Sequence, residues 1–280
     1  MTTAVEPIPA GTESSGQLRE LVVRGARVRL SVQGEGEPLL LIMGIGASLD
    51  MWAPFEQAMV ARGYQVIAFD LPGAGASKPL FPPRRMRGLA RIAVGVLDAL
   101  EIDQANVLGV SFGGAVAQEV GHIAPERVRR LILAATAPGI GGLPGDPRAL
   151  MHMLTPLRYW SPNYARRIAG TLYGGRARNA PDEQANVGLR FMRPPSLYGY
   201  LTQMYAISGW SSLLWLHRLR PKTLVLAGND DPIIPLFNGK LLATVAPNAT
   251  LRVIDGGGHL FLLDQTEEVA EIVNLFIDHS

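Results

Sequence analysis

Along most of the chain, short runs that are apolar nearly throughout alternate with stretches whose apolar positions recur at helical spacing. PLLLIMG (38–44), YQVIAFD (64–70), NVLGV (106–110) and VRRLILAAT (128–136) read as strands buried on both faces. Between them lie three helical patterns: DMWAPFEQAMVARG (50–63), RMRGLARIAVGVLDAL (85–100) and GGAVAQEVGHI (113–123). Ahead of them, ELVVRGARVRLSVQG (20–34) predicts a hairpin with Gly25 near its turn. Towards the C-terminus the alternation returns as KTLVLAGND (222–230), a helix near 236–246, TLRVIDGG (250–257) and a last helix, TEEVAEIVNLFIDH (266–279). Strand and helix in this rhythm predict an α/β fold, a parallel sheet covered by helices.

The rhythm breaks over residues 139–217, which hold no convincing strand and begin with the turn-rich GIGGLPGDP. Six of the seven tyrosines and three of the four tryptophans fall there, which marks an insertion with its own apolar surface. The expected organisation is a flexible tail (1–18), a core (19–138 and 218–280) and a helical cap (139–217), for which 280 residues are sufficient.

Composition removes several classes. A net charge of +2, from 26 basic against 24 acidic residues, gives no case for nucleic acid. The densest basic cluster, Arg84, Arg85, Arg87 and Arg91, reads as a solvated helix face. Without cysteine there is no disulfide, thiolate metal site or cysteine nucleophile. The opening MTTAVEPIPAGTESSGQ lacks the basic start and apolar core of a secretory signal. No apolar run approaches the roughly 20 residues that span a bilayer. The expected location is the cytoplasm, and no cofactor or metal is expected.

Chemistry concentrates where strands end. In Gly109-Val110-Ser111-Phe112-Gly113-Gly114 a serine sits between a strand and a helix. A sharp turn there lifts its hydroxyl clear, and the glycines remove the Cβ atoms that would collide. A serine hydroxyl needs a base. Of five histidines, His122 belongs to the helix after the serine, His152 and His217 lie in or beside the insertion, and His279 is penultimate. His259 instead follows a strand and the run Gly256-Gly257-Gly258, in a loop at the same edge of the sheet. The orienting carboxylate is sought in LVLAGNDDPIIP, where Asp231 is favoured over Asp230. Asp255 is read as a brace of its own turn, and Asp70 in FDLPGAGAS as a turn cap. Two backbone N–H groups would stabilise the oxyanion: Phe112, just after the serine, and Ile45 in Met43-Gly44-Ile45-Gly46, with Gly46 as the alternative.

Together IMGIGAS, DLPGAGAS, GVSFGG, GNDDPIIP and GGGHLFLLD resemble the α/β-hydrolase superfamily across nearly the whole chain. LILAATAPG, LYGG and GWSSLLWLH narrow the resemblance to the intracellular medium-chain-length poly(3-hydroxyalkanoate) depolymerases. The resemblance implies an eight-stranded, mostly parallel α/β-hydrolase sheet with helices on both faces and a helical cap insertion. It also implies Ser111, Asp231 and His259 as a triad that cleaves polyester or oligomer esters without cofactor or metal. Two residues depart from the depolymerase pattern: Met43 replaces the usual Asn of the oxyanion box, and Phe112 replaces the usual Trp of the elbow.

For an acyl pocket, Met43, Trp160, Tyr205 and Trp210 are the named candidates, among the wider set Met151, Met153, Tyr159, Tyr164, Met204 and Trp215. An exposed apolar rim would let the chain sit on a hydrophobic granule. Competing readings are the same machinery on small esters, thioesters or carbon–carbon bonds, and a non-catalytic binding protein on the hydrolase fold. A dehalogenase or epoxide hydrolase would carry aspartate at position 111.

Overall fold

The apolar runs pair into one sheet. The computed structural model describes residues 17–180 and 193–278, so His279 lies outside the described residues. Eight strands follow in chain order: β1 (Gln17–Val23), β2 (Ala26–Gln33), β3 (Glu37–Ile42), β4 (Tyr64–Phe69), β5 (Ala105–Val110), β6 (Val128–Ala134), β7 (Lys222–Gly228) and β8 (Ala249–Ile254). Their spatial order is β1-β2-β4-β3-β5-β6-β7-β8. The β1–β2 and β2–β4 pairs are antiparallel, and β3 to β8 run parallel.

Successive residues of the central strands serve opposite cores, as the pleat dictates. Leu40 and Ile42 pack with the helices Met86–Ala99 and Phe112–Ile123 through Leu89, Val116 and Val120. Leu39 and Leu41 pack on the other side with Phe55 and Met59 of Ala53–Val60 and with Val269 and Val273 of Thr266–Asp278. Each fully buried Leu or Ile contributes about 1.5–3 kcal/mol of transfer free energy, so flipping one face of such a strand is prohibitive.

The chain steps outward from β3 to β4, then crosses back to β5 on the other side of β3. The loops after β3 and β5 therefore leave neighbouring strands in opposite senses. This topological switch opens a crevice at the carboxyl edge of the sheet.

Boundaries differ from the sequence reading in instructive places. β1 begins at Gln17, inside the segment expected to be tail. The helix expected over 50–63 is a 3-10 turn, Leu49–Trp52, followed by an α-helix, Ala53–Val60, with Pro54 in its first turn, where its missing N–H costs nothing. β6, β7 and β8 stop at Ala134, Gly228 and Ile254, short of the expected ends, because the residues beyond them leave the ladder and form loops.

The insertion between β6 and β7 carries helices Pro147–Met153, Leu157–Trp160, Pro162–Tyr173 and Leu197–Ile207. Its base is closed by the Gly139–Ser211 bridge, with Ile140 N–H donating to the Trp210 carbonyl at 2.9 Å. Ser161 and Ser196 cap two of the helices by accepting from the N–H groups of Tyr164 and Gly199.

A polar cluster underlies the β2 side of the crevice. Asp70 accepts from Leu49 N–H at 2.7 Å and Ala76 N–H at 2.8 Å and pairs with the buried Arg29. Burial pushes its carboxyl up to about 6, against the pull of those two N–H groups and Arg29. Nearby Glu56 accepts from Gln33 Nε2 at 2.8 Å through one oxygen, while the other has no partner among the described residues. Burial, and then the Asp50 charge, push the Glu56 carboxyl from 4.5 up to about 8. The folded state thus binds the Glu56 proton more tightly than the unfolded chain does. Stability is undiminished below the unfolded value and falls as pH rises through this window. Glu56→Gln should raise the melting temperature at about pH 8 and leave it nearly unchanged at about pH 4; equal shifts in thermal melts at both pH values would contradict the assignment.

Candidate active site

Ser111 sits between β5 and the helix Phe112–Ile123 at φ 55, ψ −118, a left-handed backbone that few non-glycine residues adopt. Such a conformation costs about 1–3 kcal/mol and persists only where its surroundings hold it. Here Ser111 N–H donates to the Ala134 carbonyl at 2.9 Å, and its own carbonyl accepts from Thr136 Oγ1 at 2.7 Å. A side chain at Gly113 would collide with the Ile42 carbonyl at the end of β3, and one at Gly109 with the Gly113 carbonyl. The helix can therefore start this close to β3 and β5 only because both positions are glycine.

His259 follows β8 and the glycine run, and is buried. Its Nε2 lies 3.0 Å from Ser111 Oγ and its Nδ1 lies 2.8 Å from Asp231 Oδ2. With Nδ1–H donated to Asp231, Nε2 is left to accept the serine proton. The other Asp231 oxygen accepts from Ile233 N–H at 2.8 Å and Ile234 N–H at 2.9 Å, which fixes the carboxylate in the turn after β7. His259 N–H donates to the Tyr173 carbonyl at 2.6 Å, so the cap also holds the imidazole loop.

Asp230 does something else. It accepts from Arg178 Nε at 2.8 Å, Arg178 Nη2 at 2.9 Å and Gly175 N–H at 2.7 Å. Arg178 beside it holds its carboxyl below the usual range. Asp255 accepts from Asn229 Nδ2 at 2.7 Å, a brace between two loops. His122 stacks on Trp215 with ring centroids 4.1 Å apart, and His152 Nδ1 meets the Tyr164 hydroxyl at 2.8 Å. His217 is exposed beside Arg218.

Gly44 and Ile45 face Ser111 across a largely apolar cavity, whose free volume, mouth included, is about 760 Å³. Gly46 N–H donates to Gln203 Oε1 at 2.8 Å. Its donor is thus occupied within the fold.

Met43 lines the cavity, together with Met51, Met153, Tyr159, Ala165 and Ile233. Trp160, Tyr205 and Trp210 do not line it. Trp160 is half exposed and donates through Nε1 to the Pro195 carbonyl at 2.9 Å. Tyr205 lies under the Arg85 guanidinium at 4.8 Å, and Arg85, expected on a solvated face, also donates to the Tyr205 carbonyl. Trp210 is buried with Nε1 donating to Glu119 at 2.8 Å, a strut from cap to core. Trp210 ties the cap to the core through its indole N–H and Tyr205 through its ring and backbone carbonyl, whereas the Trp160 indole bonds within the cap.

Several lining residues, Met51, Ala165 and Ile233 among them, are not singled out by the sequence, and the charged one is Arg158. Arg158 is buried, and its guanidinium donates to the hydroxyls of Tyr200 (3.0 Å) and Tyr159 (3.2 Å) and to the Thr155 carbonyl (3.2 Å). Burial opposes its charge, yet the phenols around it hold its proton more tightly than usual. In sequence it was one arginine among many; only the clustering of tyrosines in the insertion hinted at a polar centre.

Residues 37–266 match the α/β-hydrolase fold family. A poly(3-hydroxyalkanoate) depolymerase of Ectopseudomonas oleovorans is 47% identical over 240 residues, covering 86% of this chain and 84% of that protein. A 2-hydroxymuconate semialdehyde hydrolase of Pseudomonas sp. (strain CF600) is 31% identical over 271 residues, covering 92% and 93%. Among solved structures, a meta-cleavage product hydrolase of Pseudomonas fluorescens IP01 superimposes with a TM-score of 0.80 at 24% identity, covering 93% of this chain and 97% of that one. With the match spanning β3 to the last helix, and with the switch-point crevice and bent serine already in place, the chain belongs to the α/β-hydrolase family.

Proposed function

We propose that this chain is a serine esterase that cleaves hydroxyalkanoate polyester or its oligomers through an acyl-enzyme. The observation that carries the chemistry is the unbroken line of hydrogen bonds from Ser111 Oγ through the His259 ring to Asp231. Ser111 Oγ bonds to the ester carbonyl carbon as its proton passes to His259 Nε2. The carbonyl electron pair moves onto oxygen, towards the Phe112 and Ile45 N–H groups. When the carbon–oxygen bond breaks, His259 returns the proton to the departing alkoxide. Water, deprotonated by the same nitrogen, then releases the acid and restores Ser111. Asp231 keeps the imidazole in the required tautomer and stabilises its protonated form.

The substrate class rests on two supports: the 47% identical relative bears the depolymerase name, and the cavity is lined by methionine and aliphatic side chains suited to an acyl chain. The outer face of the cap exposes Met151 (66%), Leu154 (56%) and Trp160 (47%), which supports docking on a hydrophobic granule. The cytoplasm is the compartment in which such granules would be met. A second reading is favoured by Arg158. A guanidinium lining the cavity suits a small substrate that carries a carboxylate, as in carbon–carbon bond hydrolysis of a dienoate.

A fluorophosphonate should label the wild type at Ser111 and leave Ser111→Ala unlabelled, and Ser111→Ala should lose at least about 10⁴-fold in kcat; ester turnover surviving in Ser111→Ala removes the mechanism. Asp231→Asn should lose about 10⁴-fold in kcat with KM little changed, because the neutral amide permits the wrong imidazole tautomer. A rate panel from short aryl esters to amorphous polyester, with a dienoate included, separates the two substrate readings. Leu154→Ser with Trp160→Ser should weaken co-sedimentation with polyester granules while soluble ester rates persist. Failure of the wild type to sediment, with soluble esters still cleaved, removes the granule reading.

A further inference from the structure

The Ile45–Gly46 peptide is held from both sides by the cap. Its carbonyl, on Ile45, accepts from the Tyr159 hydroxyl at 2.5 Å. Its N–H, on Gly46, donates to Gln203 Oε1 at 2.8 Å. In a trans peptide these two groups point in opposite directions, so the two bonds together stop the plane from pivoting about its long axis. Neither side chain is free to drift. Tyr159 accepts from Arg158 Nη2 at 3.2 Å, and Arg158 stacks over the Tyr159 ring at 4.4 Å. Gln203 is buried and donates through Nε2 to the Pro72 carbonyl at 3.1 Å, in the turn after β4.

Gly46 explains why the cap can come so near. It sits at φ +72, and a Cβ there would stand 2.7 Å from Tyr159 Cε2 and 3.0 Å from Tyr200 Cδ2. The aromatic rings of the cap thus rest directly on the backbone of the loop that faces Ser111.

We propose that Tyr159 and Gln203 are positioning residues for the oxyanion-stabilising loop, acting by clamping the Ile45–Gly46 peptide from opposite sides. The proposal rests on the esterase reading above and on Ile45 N–H as an oxyanion donor. Fixing this peptide anchors the Ile45 Cα, one end of the Gly44–Ile45 peptide that carries the Ile45 N–H, and so restricts how that N–H can be presented to the cavity. The developing charge on the carbonyl oxygen is sensitive to that direction, whereas ground-state ester binding in an apolar cavity is not. The cap is then part of the catalytic apparatus and not only its roof.

The test uses Tyr159→Phe, which removes one hydroxyl and keeps the ring, and Gln203→Met, which keeps the volume and removes both hydrogen bonds. Active-site titration with a fluorophosphonate counts competent enzyme, so losses from misfolding are divided out. With a short neutral aryl ester, each variant should lose about 10- to 100-fold in kcat with KM within about threefold, because a misplacement of an ångström in a preorganised site costs on that order. Affinity for a trifluoromethyl ketone, whose hemiketal oxyanion occupies the same donors, should fall in parallel. The double variant should lose less than the product of the two single losses, since both act on one peptide plane. Tyr159→Phe folds with the least disturbance and decides the matter if Gln203→Met does not fold. Unchanged kcat and ketone affinity in Tyr159→Phe, or a loss confined to KM, overturns the clamp while leaving the esterase reading intact. A wild type that does not bind the ketone, or a Ser111→Ala variant that still turns over, overturns the esterase reading itself.

Discussion

The close approach of Gly113 to the end of β3 is the constraint on which the site depends. Without a Cβ at Gly113 the first turn of the helix rests against the Ile42 and Met43 carbonyls. That contact forces Ser111 through its left-handed turn and puts its hydroxyl beside Gly44. It also brings the helix N-terminus, where the dipole favours negative charge, up to the loop that follows β3. Any larger residue at 113 would push the helix outward and carry Ser111 away from Gly44. The strain at Ser111 and the geometry of the crevice are thus two results of one packing event.

The strands and the three relay residues were legible in the sequence for a specific physical reason. Strands buried on both faces, such as Leu39 to Ile42, announce themselves as unbroken apolar runs. Ser111 and Asp231 each sit just past such a run, His259 follows the half-exposed edge strand β8 and three glycines, and the carboxyl edge of a parallel sheet gathers strand ends into one place. No knowledge of side-chain contacts was needed to bring them together. At β6 the expected end overruns the strand because Ala135, which follows it, is itself apolar.

The cap was illegible for the opposite reason. Aromatic residues are equally suited to lining a pocket and to bolting one element onto another. Trp210 and Trp160 were expected at the substrate, yet each spends its ring N–H on a partner outside the cavity. Periodicity reports which face of a helix is apolar, and it does not report which neighbour that face meets. Arg158 and Gln203 carry the same lesson for polar groups. Nothing in LRYW or LTQMY distinguishes a buried donor from a surface one, because what fixes it is a phenol or a peptide over 40 residues away along the chain.

Seen from the core, the cap touches each catalytic loop through a different device. Arg178 and Gly175 hold Asp230, one residue before the relay carboxylate. The Tyr173 carbonyl holds the His259 N–H. Tyr159 and Gln203 hold the peptide after Ile45. These contacts are made by polar groups whose hydrogen bonds are directional, while the bulk of the cap packs through apolar surface whose attraction is non-directional. Sequence change on the cavity wall can therefore alter which acyl group fits without disturbing the loops, provided those few polar bonds stay. A cap built in this way separates the shape of the cavity from the placement of the loops that carry Asp231, His259 and Ile45. Met43 and Phe112 fit that division. Both depart from the depolymerase pattern in side chain only: Met43 lines the cavity, and Phe112 begins the helix after Ser111.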